Sequence, residues 1–276
     1  MTGDHLRVAA ITLDFGNTLV RVDRPGLRAV LEETADVLGR RGIVHDRPGF
    51  LTAWAEERER QFREEVPEFR EVDVAQRAVR VLARIRGMAP PPADARWDDL
   101  TAAARVAPEE VDAVVDAYSA AFVSRMQPVA DALATLEQLA SRGFVLGILS
   151  NWPLALTVDR FAEAQGWTRH LRAIVVSQRV GTIKPHPVIF RAAERALGLA
   201  PTDAARILHV GDDWAADVVG ASNAGWHTAY LRDRQADSPL PASKPGDGGM
   251  DDADVTADLE IDELSDLDGL VEVASA

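Results

Sequence analysis

Two stretches decide the reading of this chain: Ile11-Thr12-Leu13-Asp14-Phe15-Gly16-Asn17-Thr18-Leu19 near its start, and His209-Val210-Gly211-Asp212-Asp213-Trp214-Ala215-Ala216-Asp217 far downstream. Each is an apolar run that ends in carboxylates. That pattern predicts a buried parallel strand delivering acidic side chains to its C-terminal edge.

The sequence between and around them sorts into two textures. Arg7 to Leu13 is expected to be the first strand. From Val20 to Met126 the apolar residues fall at helical spacing, over Pro25 to Arg41, Arg47 to Val66, Glu71 to Arg86 and Pro108 to Met126, with a proline-rich turn at Met88 to Ala93. After Pro128 helices and strands alternate. Val129 to Arg142 is expected as a helix closed by Gly143, Phe144 to Leu149 as a strand ending in Ser150-Asn151, Leu154 to Gln165 as a helix, and Ala173 to Val176 as a short strand. Pro187 to Leu197 follows as a helix closed by Gly198, then a strand over Ile207 to Val210, a helix over Ala215 to Ala224 and a strand over His227 to Leu231. Such alternation implies right-handed crossovers and an α/β fold: a doubly wound parallel sheet with helices on both faces and its site at the carboxyl ends of the strands. The expected organisation is a Rossmann-like core over 1–19 and 127–276, with a helical insert over 20–126. Arg232 to Ala253, rich in Pro, Gly, Asp and Ser, is expected to be a mobile loop, followed by an edge strand over Ala257 to Ile261 and a last helix from about Asp262.

Composition narrows the function classes. The 276 residues suffice for a core domain with a smaller insert, and they contain no cysteine, which excludes disulfides, thiolate metal sites and cysteine nucleophiles. The formal charge of -14 argues against a nucleic-acid partner, which would draw on clustered Lys and Arg. Most of that charge is local: residues 232–276 hold 13 Asp or Glu against Arg232, Arg234 and Lys244, and so carry -10 of it. No apolar run approaches membrane-spanning length, and Met1 to His5 leads directly into a strand, so a soluble, cytoplasmic protein acting on a small molecule is expected.

Four motifs stand in order at strand ends or in the loops behind them: Asp14-Phe15-Gly16-Asn17-Thr18-Leu19, Ser150-Asn151, Lys184-Pro185-His186-Pro187, and Gly211-Asp212-Asp213 with Asp217. In this order, with a helical insert after the first, the chain resembles the haloacid dehalogenase-like hydrolase superfamily, in its helical-cap branch, over nearly its whole length. The resemblance implies that Asp14 is a nucleophile. Attack by a carboxylate on phosphorus gives an aspartyl phosphate and splits one difficult displacement into two easier ones.

The clustered Asp212, Asp213 and Asp217 would repel one another without a cation, and Mg²⁺, a hard ion taking oxygen ligands, suits them. The resemblance implies that the metal is held by Asp14, the backbone carbonyl of Gly16 and Asp212, with Asp217 or Asp213 as a further ligand; Asp213 can equally be the N-cap of the helix that follows. Lys184, one of two lysines among 30 Lys and Arg residues, would neutralise the nucleophile and the transferring phosphoryl group. Ser150 would donate to the phosphate, and Thr18, Asn151 and Trp152 would bind or frame the substrate. Trp152 and Trp214 follow directly on two motifs and could instead pack the insert onto the core. His209 lies within a strand and is expected beside the site or in the core.

One position departs from the pattern. Two residues beyond the nucleophile, the family's phosphatases typically carry a second Asp that protonates the leaving oxygen and later activates water. Here that residue is Gly16, and general acid and base catalysis is typically worth ~10²–10⁴-fold. Three explanations remain open. A phosphatase could draw the proton from the insert, the substrate or water; a metal-independent 2-haloacid dehalogenase needs none because halide leaves without one; and a binding or regulatory protein needs no turnover. A phosphonatase would require a lysine in the insert, and no lysine precedes Lys184.

Overall fold

Ala10–Leu13 is buried along its whole length, as a strand at the centre of a sheet covered on both faces must be. In the computed structural model, which describes residues 5–232, 238–240, 243–245 and 255–274, this strand is β2. The elements in chain order are β1 Leu6–Val8, β2, β3 Val20–Arg21, α1 Arg24–Arg40, α2 Arg47–Glu65, α3 Val74–Ile85, α4 Asp99–Ala103, α5 Pro108–Arg125 and β4 Gln127–Pro128. They continue with α6 Ala132–Ser141, β5 Val145–Ser150, α7 Ala155–Ala164, β6 Leu171–Val176, α8 Ser177–Val180, α9 Pro187–Leu197, β7 Ile207–Gly211, α10 Gly220–Asn223, β8 His227–Leu231, β9 Leu259–Ile261 and β10 Val271–Val273.

Six strands form one parallel sheet in the order β6-β5-β2-β7-β8-β9. The chain winds outward from β2 through β5 to β6, then crosses back to β7 on the other side, so β2 lies where the winding direction reverses. Ligand sites of open α/β sheets lie at such a point, outside the carboxyl ends of the strands. The ends of β5, β2 and β7 are therefore neighbours, and Ser150-Asn151, Asp14 and Asp212 follow from them.

The helical insert leaves and rejoins the sheet through an antiparallel pair, Val20 opposite Pro128 and Arg21 opposite Gln127. Its helices start on side-chain caps. Asp23, Asp46, Asp73 and Asp98 accept from the backbone N–H of Gly26, Gly49, Gln76 and Thr101, which satisfies donors that a helix start leaves bare. The insert and the sheet share apolar contacts. Phe122 of α5 is fully buried, with its ring centre 6.1 Å from Phe15, 5.3 Å from Trp152 and 5.9 Å from Phe161.

Several elements differ from the sequence expectation. The first strand breaks at Ala9, whose N–H turns to Arg206 O while its carbonyl accepts from Val145; β1 then pairs in parallel with β10 as a separate ribbon. The last helix is a short 3₁₀ segment, Leu264–Gly269, followed by β10: its buried Leu264 and Leu267 are three apart, the spacing that 3₁₀ winding eclipses onto one side. The helix expected over Ala215 to Ala224 begins as a wide π turn over Trp214–Val219 before α10. The loop expected over Arg232 to Ala253 lies outside the described residues except for Arg232, 238–240 and 243–245. Among the described residues no helix is long and apolar enough to cross a membrane.

Because Phe122 joins insert to sheet, Phe122→Ala is expected to lower the unfolding free energy by ~3–5 kcal/mol, measured by urea denaturation. A loss below about 1 kcal/mol would show that this aromatic contact is not a principal joint between the two parts.

Candidate active site

The ammonium of Lys184, itself 2 % exposed, is the hub of the site. Nζ donates to Asp14 Oδ1 at 2.7 Å, to Asp217 Oδ1 at 2.6 Å and to the Leu149 carbonyl at 2.9 Å. Three protons meet three acceptors, so the charge is held from β2, β5 and the segment after β7 at once. Asn151 fixes the same residue by its backbone: its Oδ1 accepts from Lys184 N–H at 2.7 Å and its Nδ2 donates to Lys184 O at 3.0 Å.

Asp217 reaches the hub because of local backbone geometry. Asp213 caps the π turn, its carboxylate accepting from Ala216 N–H at 3.2 Å and from Ser243 Oγ at 2.6 Å. Asp217 Oδ2 then accepts from Asp213 N–H at 2.9 Å and lies where a side chain at Gly211 would stand; a Cβ there would be 2.1 Å from Oδ2. Only glycine leaves room for that approach.

His209 lies beneath, fully enclosed. Its Nε2 is 3.1 Å from Asp217 Oδ1 and 3.4 Å from Lys184 Nζ, and Nδ1 is 2.8 Å from Thr12 Oγ1. A neutral ring donating from Nε2 to Asp217 and accepting at Nδ1 from the Thr12 hydroxyl satisfies both ends. Burial, reinforced by the Lys184 charge, lowers the imidazolium and favours that form.

The carboxylates divide in their titration. Burial pushes the Asp14 carboxyl up against the pull of Lys184. Burial works the same way on Asp217, but Lys184 and His209 outweigh it and hold that carboxyl well below the usual range. Burial alone would lower Lys184, and the two aspartates together raise it instead.

Asp14, Asp212 and Asp217 are all buried, and one carboxylate oxygen from each lies within 4.8 Å of the others. Three carboxylates converge on one ammonium at the cavity floor. A converging, all-oxygen donor set of this kind suits a hard divalent cation such as Mg²⁺. Asp213 is not in this cluster; its carboxylate is spent as a helix cap.

Above the hub opens a cavity of about 740 Å³. Asp14, Gly16, Asn17, Asn151, Trp152, Lys184, Asp212, Asp213 and Asp217 line its sheet side, and residues of α1, α2, α3 and α5 line the side of the insert. The structure thus brings Asp14, Lys184, Asp212, Asp217 and Gly16 together, as expected from the sequence. It places others differently. Thr18 is fully buried outside the cavity wall and donates to Asp212 Oδ1 at 3.2 Å, so it steadies a carboxylate. Ser150 is fully buried outside the wall too, its hydroxyl without a hydrogen-bond partner, and does not face the cavity as a phosphate donor there would. Asn151 lines the cavity with its side chain committed to the Lys184 backbone. Trp152 is both wall and packing, with its ring 5.1 Å from Phe15. Trp214 is not in the wall and packs edge-on against Tyr230 at 5.2 Å.

Sequence reasoning missed the residues that the insert contributes: Arg58 and Arg77, the aromatic Trp54 and Tyr118, and Glu71. Among so many arginines at helical spacing nothing marks these two. Glu71 is half-buried, accepting from Val72 N–H at 2.9 Å and from the Ser177 hydroxyl, and burial pushes its carboxyl up to about 7.

A family model described as haloacid dehalogenase-like hydrolase matches residues 8–225. Glyceraldehyde 3-phosphate phosphatase of Methanopyrus kandleri is 34% identical over 127 residues, covering 45% of this chain and 52% of the relative. Ribulose-1,5-bisphosphate 5-phosphatase of Halopiger xanaduensis is 32% identical over 167 residues, covering 59% of this chain and 65% of the relative. The matches therefore span about half to two thirds of these curated relatives. Among solved structures, 2-haloacid dehalogenase from Pseudomonas syringae is 22% identical with a TM-score of 0.62, covering 95% of this chain and 97% of that one, a likeness of fold.

The raised Glu71 carboxyl makes stability depend on pH. Between its ordinary 4.5 and about 7 the folded chain retains a proton that the unfolded chain releases, so stability falls as pH rises through that window and is flat on either side. Partial exposure trims the effect to roughly 1–3 kcal/mol. Urea unfolding at pH 4.5 and pH 8 should show that Glu71→Gln loses this part of the dependence; an unchanged difference between the two pH values would assign it to other groups.

Proposed function

Given that the chain belongs to the haloacid dehalogenase-like hydrolases, we propose that it is a magnesium-dependent phosphatase of small phosphorylated metabolites, with Asp14 as nucleophile and the insert as its cap. The observation that carries this reading is the pairing of Asp14 with Lys184 at 2.7 Å on the cavity floor, beside the buried Asp212 and Asp217. Relatives named as phosphatases of a triose phosphate and a sugar bisphosphate agree with it.

Asp14 attacks phosphorus, and the ester P–O bond breaks with its electron pair going to the leaving oxygen. Water then cleaves the aspartyl phosphate and returns the free carboxylate. Lys184 pulls against the effect of burial on Asp14 and sets one oxygen so that the other can face phosphorus. Asp217 and His209 hold the ammonium in place. Asp14, Asp212 and the Gly16 carbonyl would hold Mg²⁺, with Asp217 behind them; the ion supplies positive charge to the phosphoryl oxygens.

Gly16 leaves the leaving group without its usual proton donor. The vacant position is not open space: a Cβ on Gly16 would lie 2.7 Å from Leu240 Cδ1 and 3.1 Å from Trp152 Cζ3. Apolar atoms stand where an acid would be, so departure is easiest for a leaving group that is already a weak base. A dehalogenase would share Gly16 but has no use for the cluster of three carboxylates, which favours the phosphatase.

Two measurements test the proposal. Asp14→Asn is expected to lower phosphate release by at least about a thousandfold, and chelation of divalent ions to abolish it. Full activity in either case overturns the reading, and halide release from a 2-haloacid in the presence of chelator would replace it. On the same enzyme, aryl or acyl phosphates should exceed alkyl phosphates in kcat by about a hundredfold, the scale of a missing general acid. Equal rates would mean that another group supplies the proton.

A further inference from the structure

Arg77 of α3 stands in the insert's wall of the cavity and is only 3 % exposed. A buried guanidinium brings five N–H donors and a charge that must be compensated. Here Nε donates to Gln61 Oε1 at 2.9 Å, and the guanidinium carbon lies 5.4 Å from the centre of the Trp54 ring. Among the described residues no acceptor meets either terminal nitrogen, and no carboxylate comes within ion-pair distance.

The surroundings compensate that charge only from a distance, through Tyr118, Glu71 and Asp73. Gln61 is fixed, its Nε2 donating to Asp73 O at 3.0 Å and Gln76 Oε1 at 2.9 Å. The Asp73 carboxylate caps α3 and accepts from Gln178, and Glu71 is engaged by Ser177 and Val72. Arg58, a second cation in the same wall, has its own partners in Glu59 and the Pro239 carbonyl, and its charge opposes that of Arg77. Burial, with Arg58 adding to it, draws the Arg77 guanidinium down to about 10. What remains is a planar fork, held at one edge by Gln61 and unmatched at the other, beside a cavity. That is the arrangement that takes a carboxylate or phosphate in bidentate fashion.

We propose that Arg77 forms a second anion subsite, so that the substrate is a phosphate ester carrying a further carboxylate or phosphate at the end remote from Asp14. Trp54 and Tyr118, stacked at 5.5 Å, wall the space beside it. The inference rests on the phosphatase reading for the group that faces Asp14, but binding of the far anion does not require turnover.

Non-hydrolysable phosphonates test it. Butylphosphonate, 4-phosphonobutanoate and butane-1,4-diphosphonate, each with Mg²⁺, are titrated into the protein and followed by calorimetry. The two ligands with an anionic far end are expected to bind about tenfold to a hundredfold more tightly than butylphosphonate, and the tighter of the two identifies the far group as carboxylate or phosphate. In Arg77→Gln the ratio should fall to within about twofold. Arg77→Lys, which keeps the charge and loses the fork, should give an intermediate ratio and serves if the glutamine variant does not fold. Equal affinity of the unaltered protein for all three ligands overturns the proposal, as does a preference that survives Arg77→Gln. Failure to hydrolyse any phosphate ester would instead remove the phosphatase reading, and the phosphonate ratio would still decide the subsite.

Discussion

A single buried ammonium governs the arrangement at the sheet edge. Lys184 is enclosed with Asp14 and Asp217 at 2.7 and 2.6 Å, and taking those charges out of water costs several kcal/mol per ion unless geometry and hydrogen bonding compensate. The compensation comes from every side. The Leu149 carbonyl takes the third proton, Asn151 clamps the lysine backbone, and His209 shares Asp217. Other features follow from that demand: glycine at 211 so that Asp217 can come down onto the lysine, and a π turn that turns its carboxylate inward. The same hub anchors Asp14 by one oxygen, an arrangement that suits the nucleophilic role proposed for it.

The polar half of the site was legible in the sequence because strand order does the work. A buried parallel strand has one carboxyl end, and any chemistry-bearing residue just after it must lie at that edge of the sheet. Asp14, Asn151 and Asp212 were placed correctly by that rule alone, without knowledge of a single side-chain contact. Where the rule says nothing, reading failed. The resemblance gives Thr18 and Ser150 roles toward the substrate, and in the structure both are fully buried and neither lines the cavity. A strand end fixes which residues are near, but the depth of each depends on how the following loop turns. Asp213 and Asp217 divide the two roles the sequence leaves open: the π turn uses Asp213 as its cap, and Asp217, one turn on, reaches the lysine.

Element boundaries failed for different physical reasons. The break at Ala9 is invisible in an apolar run, since β1 and β2 have the same local pattern and differ only in which distant strand they pair with. The terminal 3₁₀ segment carries two buried leucines, too few to distinguish its winding from an α-helix by spacing. The caps of the insert are local in kind, because Asp before a helix start satisfies bare N–H groups whatever the tertiary context.

The insert holds the information about what the site accepts, and that information is tertiary. Arg58, Arg77, Trp54 and Tyr118 sit on three different helices, and each would read as an ordinary member of an amphipathic pattern. Their convergence depends on how α2, α3 and α5 cross, which no local period encodes. The division has a physical basis. Reaction chemistry needs atoms held to a fraction of an ångström, and hydrogen-bonded strand ends supply that precision. Recognition needs a wall whose composition can vary without disturbing the sheet, and packed helices supply that. Gly16 joins the two: with Leu240 and Trp152 filling the place of an acid, the sheet has ceded the leaving group to whatever the insert and the substrate provide. On the reading proposed, the burden of selectivity therefore falls on the bound molecule's own leaving group and on Arg77 at its far end.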